Sequence, residues 1–64
     1  MQFTLTIKCD NAAFDDEPLE EVARILDKEA AKMRRWVGDG AKDWHDTLQD
    51  INGNYVGTAD LEAS

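Results

Sequence analysis

Asp50-Ile51-Asn52-Gly53-Asn54-Tyr55-Val56-Gly57 is the stretch whose reading decides the fold. Asn-Gly between two runs of alternating polarity is a strong hairpin signal, because both residues tolerate the positive φ of a type I′ turn. A two-residue turn at Asn52-Gly53 pairs Ile51 with Asn54 and fixes every pair behind it. Trp44 then faces Leu61, Asp46 faces Ala59, Leu48 faces Gly57, and Asp50 faces Tyr55. The other side carries His45, Thr47, Gln49, Ile51, Asn54, Val56, Thr58 and Asp60. This register gathers Trp44, Leu48, Tyr55 and Leu61 toward a core, and a slip of one residue would scatter them. The spacing predicts hairpin strands over 43–51 and 54–62.

Upstream, Pro18 suits the first helical position, where its missing N–H costs nothing. Leu19, Val22, Ala23, Leu26, Ala30, Met33 and Val37 recur at steps of three and four as one apolar stripe. Glu20 and Glu21 in the first turn and Arg34 and Arg35 in the last match the helix dipole. Glu20 and Arg24 stand four residues apart, the spacing of an ion pair. Gly38 in Gly38-Asp39-Gly40 is a helix stop. The helix is expected over 18–37.

At the start, residues 2–8 alternate strictly. Phe3, Leu5 and Ile7 point one way; Gln2, Thr4, Thr6 and Lys8 point the other, as in a half-buried strand. Residues 9–17 read as a loop whose Phe14 tucks onto the core. The whole is one α+β domain over 1–64, a β-α-β-β chain with a three-stranded antiparallel sheet and one helix packed on one face. The first strand is expected beside the third, which leaves room for the helical crossover. The far sheet face, with Thr4, Thr6, Thr47, Gln49 and Thr58, has nothing left in the chain to cover it.

With 64 residues the domain is near the lower limit for folding alone. A single cysteine, Cys9, allows no internal disulfide. With no signal peptide and no apolar run of about 20 residues, the expectation is a cytoplasmic monomer that does not span a membrane.

Little in the chain reads as chemistry. His45 lies between Asp43 and Asp46, but general-base work needs a pocket and a nucleophile within reach, and none is near in sequence. Cys9 has only Lys8 and Asp10 beside it, so nothing marks it as a lowered-pKa thiol. Asp50-Ile-Asn52-Gly-Asn54 resembles the start of a calcium loop. Its glycine falls at position four rather than six, and Leu61 stands where the loop's glutamate belongs. Lys28, Lys32, Arg34 and Arg35 form a basic helix end, read as solvated. Trp36 lies at the edge of the apolar stripe. The expectation is therefore no enzyme, no cofactor and no metal.

The charge is more informative. There are 14 acids against 7 bases, for a net charge of −7. The segment 18–36 is near neutral, while the flanks hold Asp10, Asp15, Asp16 and Glu17 on one side and Asp39, Asp43, Asp46, Asp50, Asp60 and Glu62 on the other. Such flanks repel nucleic acid and attract proteins that bind it. These ten carboxylates are the expected partner-binding residues. In the hairpin register, Asp43, Asp60 and Glu62 share the open face with His45. Asp46 and Asp50 fall on the core side and must reach its rim.

Phe3-Thr-Leu-Thr-Ile7, Asp10-Asn-Ala-Ala-Phe14, Val22-Ala-Arg-Ile-Leu26 and Asp50-Ile-Asn-Gly-Asn-Tyr-Val-Gly57 together resemble small acidic proteins encoded by phages and prophages. Some of these are anti-CRISPR proteins. The resemblance implies an inhibitor in the host bacterial cytoplasm that binds a Cas subunit of a type I complex and blocks DNA recognition as a DNA mimic. It assigns no catalytic residues. The other reading it allows is a phage structural or regulatory module that pairs through its bare sheet or an edge strand.

Overall fold

The structure is a computed structural model that describes residues 1–36 and 43–63, without the side chain of Trp36. Val37 and the expected Gly38-Asp39-Gly40 stop lie outside the described residues. Strand β1 spans Gln2–Ile7, a 3-10 turn covers Ala12–Phe14, helix α1 spans Pro18–Trp36, and strands β2 and β3 span Trp44–Gln49 and Tyr55–Glu62. The sheet is antiparallel in the order β1-β3-β2, so the fold is the expected β-α-β-β and β1 does lie beside β3. Among the described residues, no helix is long and apolar enough to cross a membrane.

The pairing sorts the two faces. Phe3, Leu61 and Trp44 lie side by side, as do Leu5, Ala59 and Asp46, and then Ile7, Gly57 and Leu48. Thr4, Asp60 and His45 form a row on the opposite face, followed by Thr6, Thr58 and Thr47. The core is Phe14, Ile25, Leu48, Val56 and Ala59, with Leu5, Ile7, Ala13, Val22 and Trp44 packed partly buried against it. Phe14 tucks in as expected. On the far face Thr4, Thr6, Thr47 and Gln49 are exposed and Thr58 is half-buried.

The turn differs from expectation by one residue. Gly53 alone has positive φ, at 85°, and Asn52 does not, which excludes type I′. Asp50 N–H donates to Asn54 O (2.9 Å) and Gly53 N–H donates to Asp50 O (3.0 Å). The loop is therefore Ile51-Asn52-Gly53, three residues ending in a left-handed glycine. Gln49 consequently pairs with Tyr55, not Val56. A bulge between Leu48 and Gln49 absorbs the extra residue, and from Leu48–Gly57 onward the expected pairs hold. Because one residue of offset exchanges faces, Tyr55 is 72% exposed and Val56, expected on the open side, is buried.

The helix stripe is also rotated. Ile25 is buried on α1, flanked by the buried carboxylates Glu21 and Glu29, while Val22 and Met33 are half-buried. Leu19, Ala23 and Leu26 are exposed. The helix has turned its acid-bearing flank inward because that flank makes polar links to β2 and its turn. Glu20 does not hold Arg24; Glu21 does, at 2.8 Å, through i,i+3 spacing.

Central strand β3 admits no side chain at Gly57. A Cβ there would lie 1.8 Å from Thr6 O in the neighbouring backbone. Gly57→Ala must push β1 off the sheet. The expected cost is about 3 kcal/mol or more, in the range reserved for severe core disruption. Urea unfolding checks it, and a loss below about 1 kcal/mol would contradict the close approach.

Candidate functional site

The acids divide into those that build the fold and those left on its surface. Asp50 is the deepest of the first group, 4% exposed. One oxygen accepts from the N–H groups of Asn52 and Asn54, both at 2.9 Å, and the other accepts from the Asn54 amide at 3.3 Å. An aspartate folding back on the backbone two and four residues ahead is a turn-forming arrangement. It explains why the tip closes around three residues. Burial pushes the Asp50 carboxyl upward, but the hydrogen bonds from Asn54, Asn52 and Asn11 outweigh it and hold the group below the ordinary carboxylate value. This carboxylate is spent on the chain's own backbone, as a hairpin and not a calcium loop requires.

Glu21 ties the helix to the same tip. Its Oε2 accepts from the Ile51 N–H at 2.8 Å, and both oxygens accept from Arg24 at 2.8 and 3.0 Å. The Arg24 hydrogen bond is the main reason its carboxyl sits below the ordinary value. Neither the burial of Glu21 nor its reach to Ile51 is legible in the sequence. The one available signal was an acid on the helix side that also carries Ile25.

Further along the helix, Glu29, Lys32 and Asp46 form a half-covered cluster. Lys32 Nζ lies 3.0 Å from Asp46 and 3.4 Å from Glu29. Glu29 is 3% exposed, and its Oε2 finds no donor. Burial pushes its carboxyl up, and Asp46 adds to that through a carboxyl–carboxylate hydrogen bond and charge repulsion. Protonation of Glu29 removes its repulsion with Asp46 and supplies a donor to it. Asp46 feels the reverse. Burial raises it, but hydrogen bonds from Glu29 and Lys32 prevail and hold it low. Asp46 thus reaches the rim of the core face, as expected, and finds Lys32 there.

The remaining expected residues lie outside the core. Asp43 accepts from the Ala63 N–H at 3.1 Å, which fastens the end of β3. His45 Nδ1 and Asp60 Oδ1 hydrogen-bond across β2 and β3 on the open face, where both side chains meet solvent. Glu62 is exposed beside them. A shallow hollow of about 340 Å³ is lined by these groups together with Trp44 and Leu61. Asp10, Asp15, Asp16 and Glu17 are exposed, and Glu20 continues their run into the first helical turn. None of these five forms an ion pair among the described residues. Asp39 lies outside them. Cys9 is free and exposed, not covered.

The structure therefore splits the ten expected contact residues. Asp50 is removed from any contact surface by burial. Asp46 is half-neutralised by Lys32, and Asp43 and Asp60 are engaged at the end of the hairpin. Asp15, Asp16 and Glu17 stand directly ahead of α1, and Asp10 lies before the 3-10 turn beside Thr6, Lys8 and Tyr55. Among the described residues, no group of three or more His, Cys, Asp or Glu side chains is placed to hold a metal ion. No protein-family profile, curated protein or solved structure significantly matches this chain.

Two measurements test these assignments. Asp50→Ala leaves three donors at the tip without their acceptor and should lower the melting temperature by about 5–10 °C, while Asp10→Ala leaves it unchanged. The second test concerns pH. Glu21, Asp46 and Asp50 have lowered values, so their stabilisation is full above the ordinary carboxylate range and lost as pH falls through their folded values. Glu29 has a raised value, so its contribution is full below its ordinary value of 4.5 and lost as pH rises through the folded one. Glu29→Gln should therefore melt at or above the parent at pH ~8 and lose that advantage at pH ~4.5. A variant weaker than the parent at pH ~8 would overturn the protonated reading.

Proposed function

We propose that this protein is a non-enzymatic binding protein whose free carboxylates engage the basic, nucleic-acid-binding surface of a partner. One observation carries the reading. Asp10, Asp15, Asp16 and Glu17 stay exposed without a cationic partner among the described residues, while Glu21, Glu29, Asp46 and Asp50 are drawn into contacts within the fold. A Lys/Arg-lined groove built for phosphates offers the charge they lack. Glu62 and the hydrogen-bonded His45–Asp60 pair form a second acidic area on the open face.

The competing explanation is local. Acids ahead of a helix interact favourably with its dipole, by about 0.3–1 kcal/mol each. Affinity separates the two readings where stability does not. The resemblance to anti-CRISPR proteins directs the test to the DNA-recognising subunits of type I complexes. The chain would compete there for the DNA site as a mimic of its charge.

In a binding assay against such a complex, at low and then high salt, the parent should block DNA binding more effectively at low salt. Replacing Asp15, Asp16 and Glu17 together with lysine should slow association at least about tenfold, with the melting temperature shifted only by the dipole loss. Unchanged inhibition by that variant would sink the mimic mechanism.

A further inference from the structure

The two outer strands of the sheet are protected very differently. β2 carries His45 and Asp46 and is overlaid by the Lys32 link from α1. Charges, bulges and covering elements are the devices that keep a free edge from pairing. β1 has none of them. Gln2–Ile7 contains no charge, proline or glycine, and its pairing with β3 runs without irregularity. The whole stretch Met1–Cys9 holds no acid, in a chain with 14 of them.

The backbone of β1 is set for a partner. Lys8 N–H donates to Val56 O at 2.8 Å, and Thr6 O points at Gly57. In an antiparallel ladder these groups alternate. The N–H and C=O of Gln2, Thr4, Thr6 and Lys8 therefore face β3, and those of Phe3, Leu5 and Ile7 face outward. The side chains above this edge are also thinly covered. Glu21 ties α1 to the turn after β2 and Lys32 ties it to β2 itself, and on β1 Phe3 remains 46% exposed.

We propose that β1 pairs antiparallel with β1 of a second copy, giving a continuous six-stranded sheet about a two-fold axis. Period two permits only registers that keep apolar side chains on one face. Placing Leu5 opposite Leu5 of the partner sets Phe3 against Ile7 twice. It also makes all three outward-facing residues hydrogen-bonded pairs. On the other face Thr4 meets Thr6, and Gln2 meets Lys8, so no like charges oppose. The outer edges of the joined sheet are then the two guarded β2 strands, which limits assembly to a closed pair. This pairing is independent of what the acids bind.

Sedimentation of the intact chain at up to about 1 mM, where even a millimolar Kd registers, should show twice the monomer mass. Thr4 and Thr6 are exposed, so substitutions there spare the fold, as circular dichroism can confirm. T4K/T6K sets lysine against lysine twice and should raise the Kd by about tenfold or more. T4K/T6E sets opposite charges together in this register and should restore the dimer. A monomer throughout the range, an open-ended aggregate, or a dimer indifferent to both variants would overturn the proposal.

Discussion

The carboxylate of Asp50 holds the tip of the molecule in one shape, and the remaining elements take their positions from it. Its acceptance of the Asn52 and Asn54 N–H groups closes a three-residue loop. That loop leaves the Ile51 N–H pointing at the helix, where Glu21 takes it. The first turn of α1 is thereby pinned to the hairpin before any apolar side chain is counted. Among the described residues the buried apolar side chains are Phe14, Ile25, Leu48, Val56 and Ala59, a slight core even for so small a domain. Charged and polar links supply the orientation that a larger core would supply by packing.

The inward carboxylates explain why the helix sits as it does. A helix buried along its apolar stripe would have turned Leu19, Leu26 and Ala30 toward the sheet. Here Glu21, Ile25 and Glu29 take that place. Glu21 is matched by Arg24 and a backbone donor. Glu29 is matched in part, by Lys32 alone, and keeps one oxygen without a donor. Burying acids this way is stabilising only while their partners remain, so these positions are more sensitive to substitution than their polarity suggests.

The element pattern was legible in the sequence because it rests on local signals. Strict alternation in Gln2–Ile7, Pro18 at the helix start and Gly53 in the turn each have a short-range cause. The fold class, the strand order and the pairs from Trp44–Leu61 to Leu48–Gly57 follow from them. What was not legible depends on contacts between distant residues. The length of the loop turned on the side chain of Asp50, which reads equally well as surface acid. A single residue of difference then exchanged Tyr55 and Val56. The helix rotation turned on Glu21 meeting Ile51, 30 positions away. The same cause divided the acids. Composition treats all fourteen alike, and only the packing separates Asp50 from Asp15, Asp16 and Glu17.

Helix α1 also polarises the molecule along its length. Nineteen residues at 1.5 Å each separate its ends by about 28 Å. Asp15, Asp16, Glu17 and Glu20 crowd one end, and Arg34 and Arg35 stand exposed at the other. In the field of a charged body this separation produces a torque as well as a pull. A basic surface turns the acid end forward and holds the arginine end away, while an acidic surface does the opposite. The protein therefore approaches a charged partner already oriented, so fewer of its collisions are wasted on the wrong end.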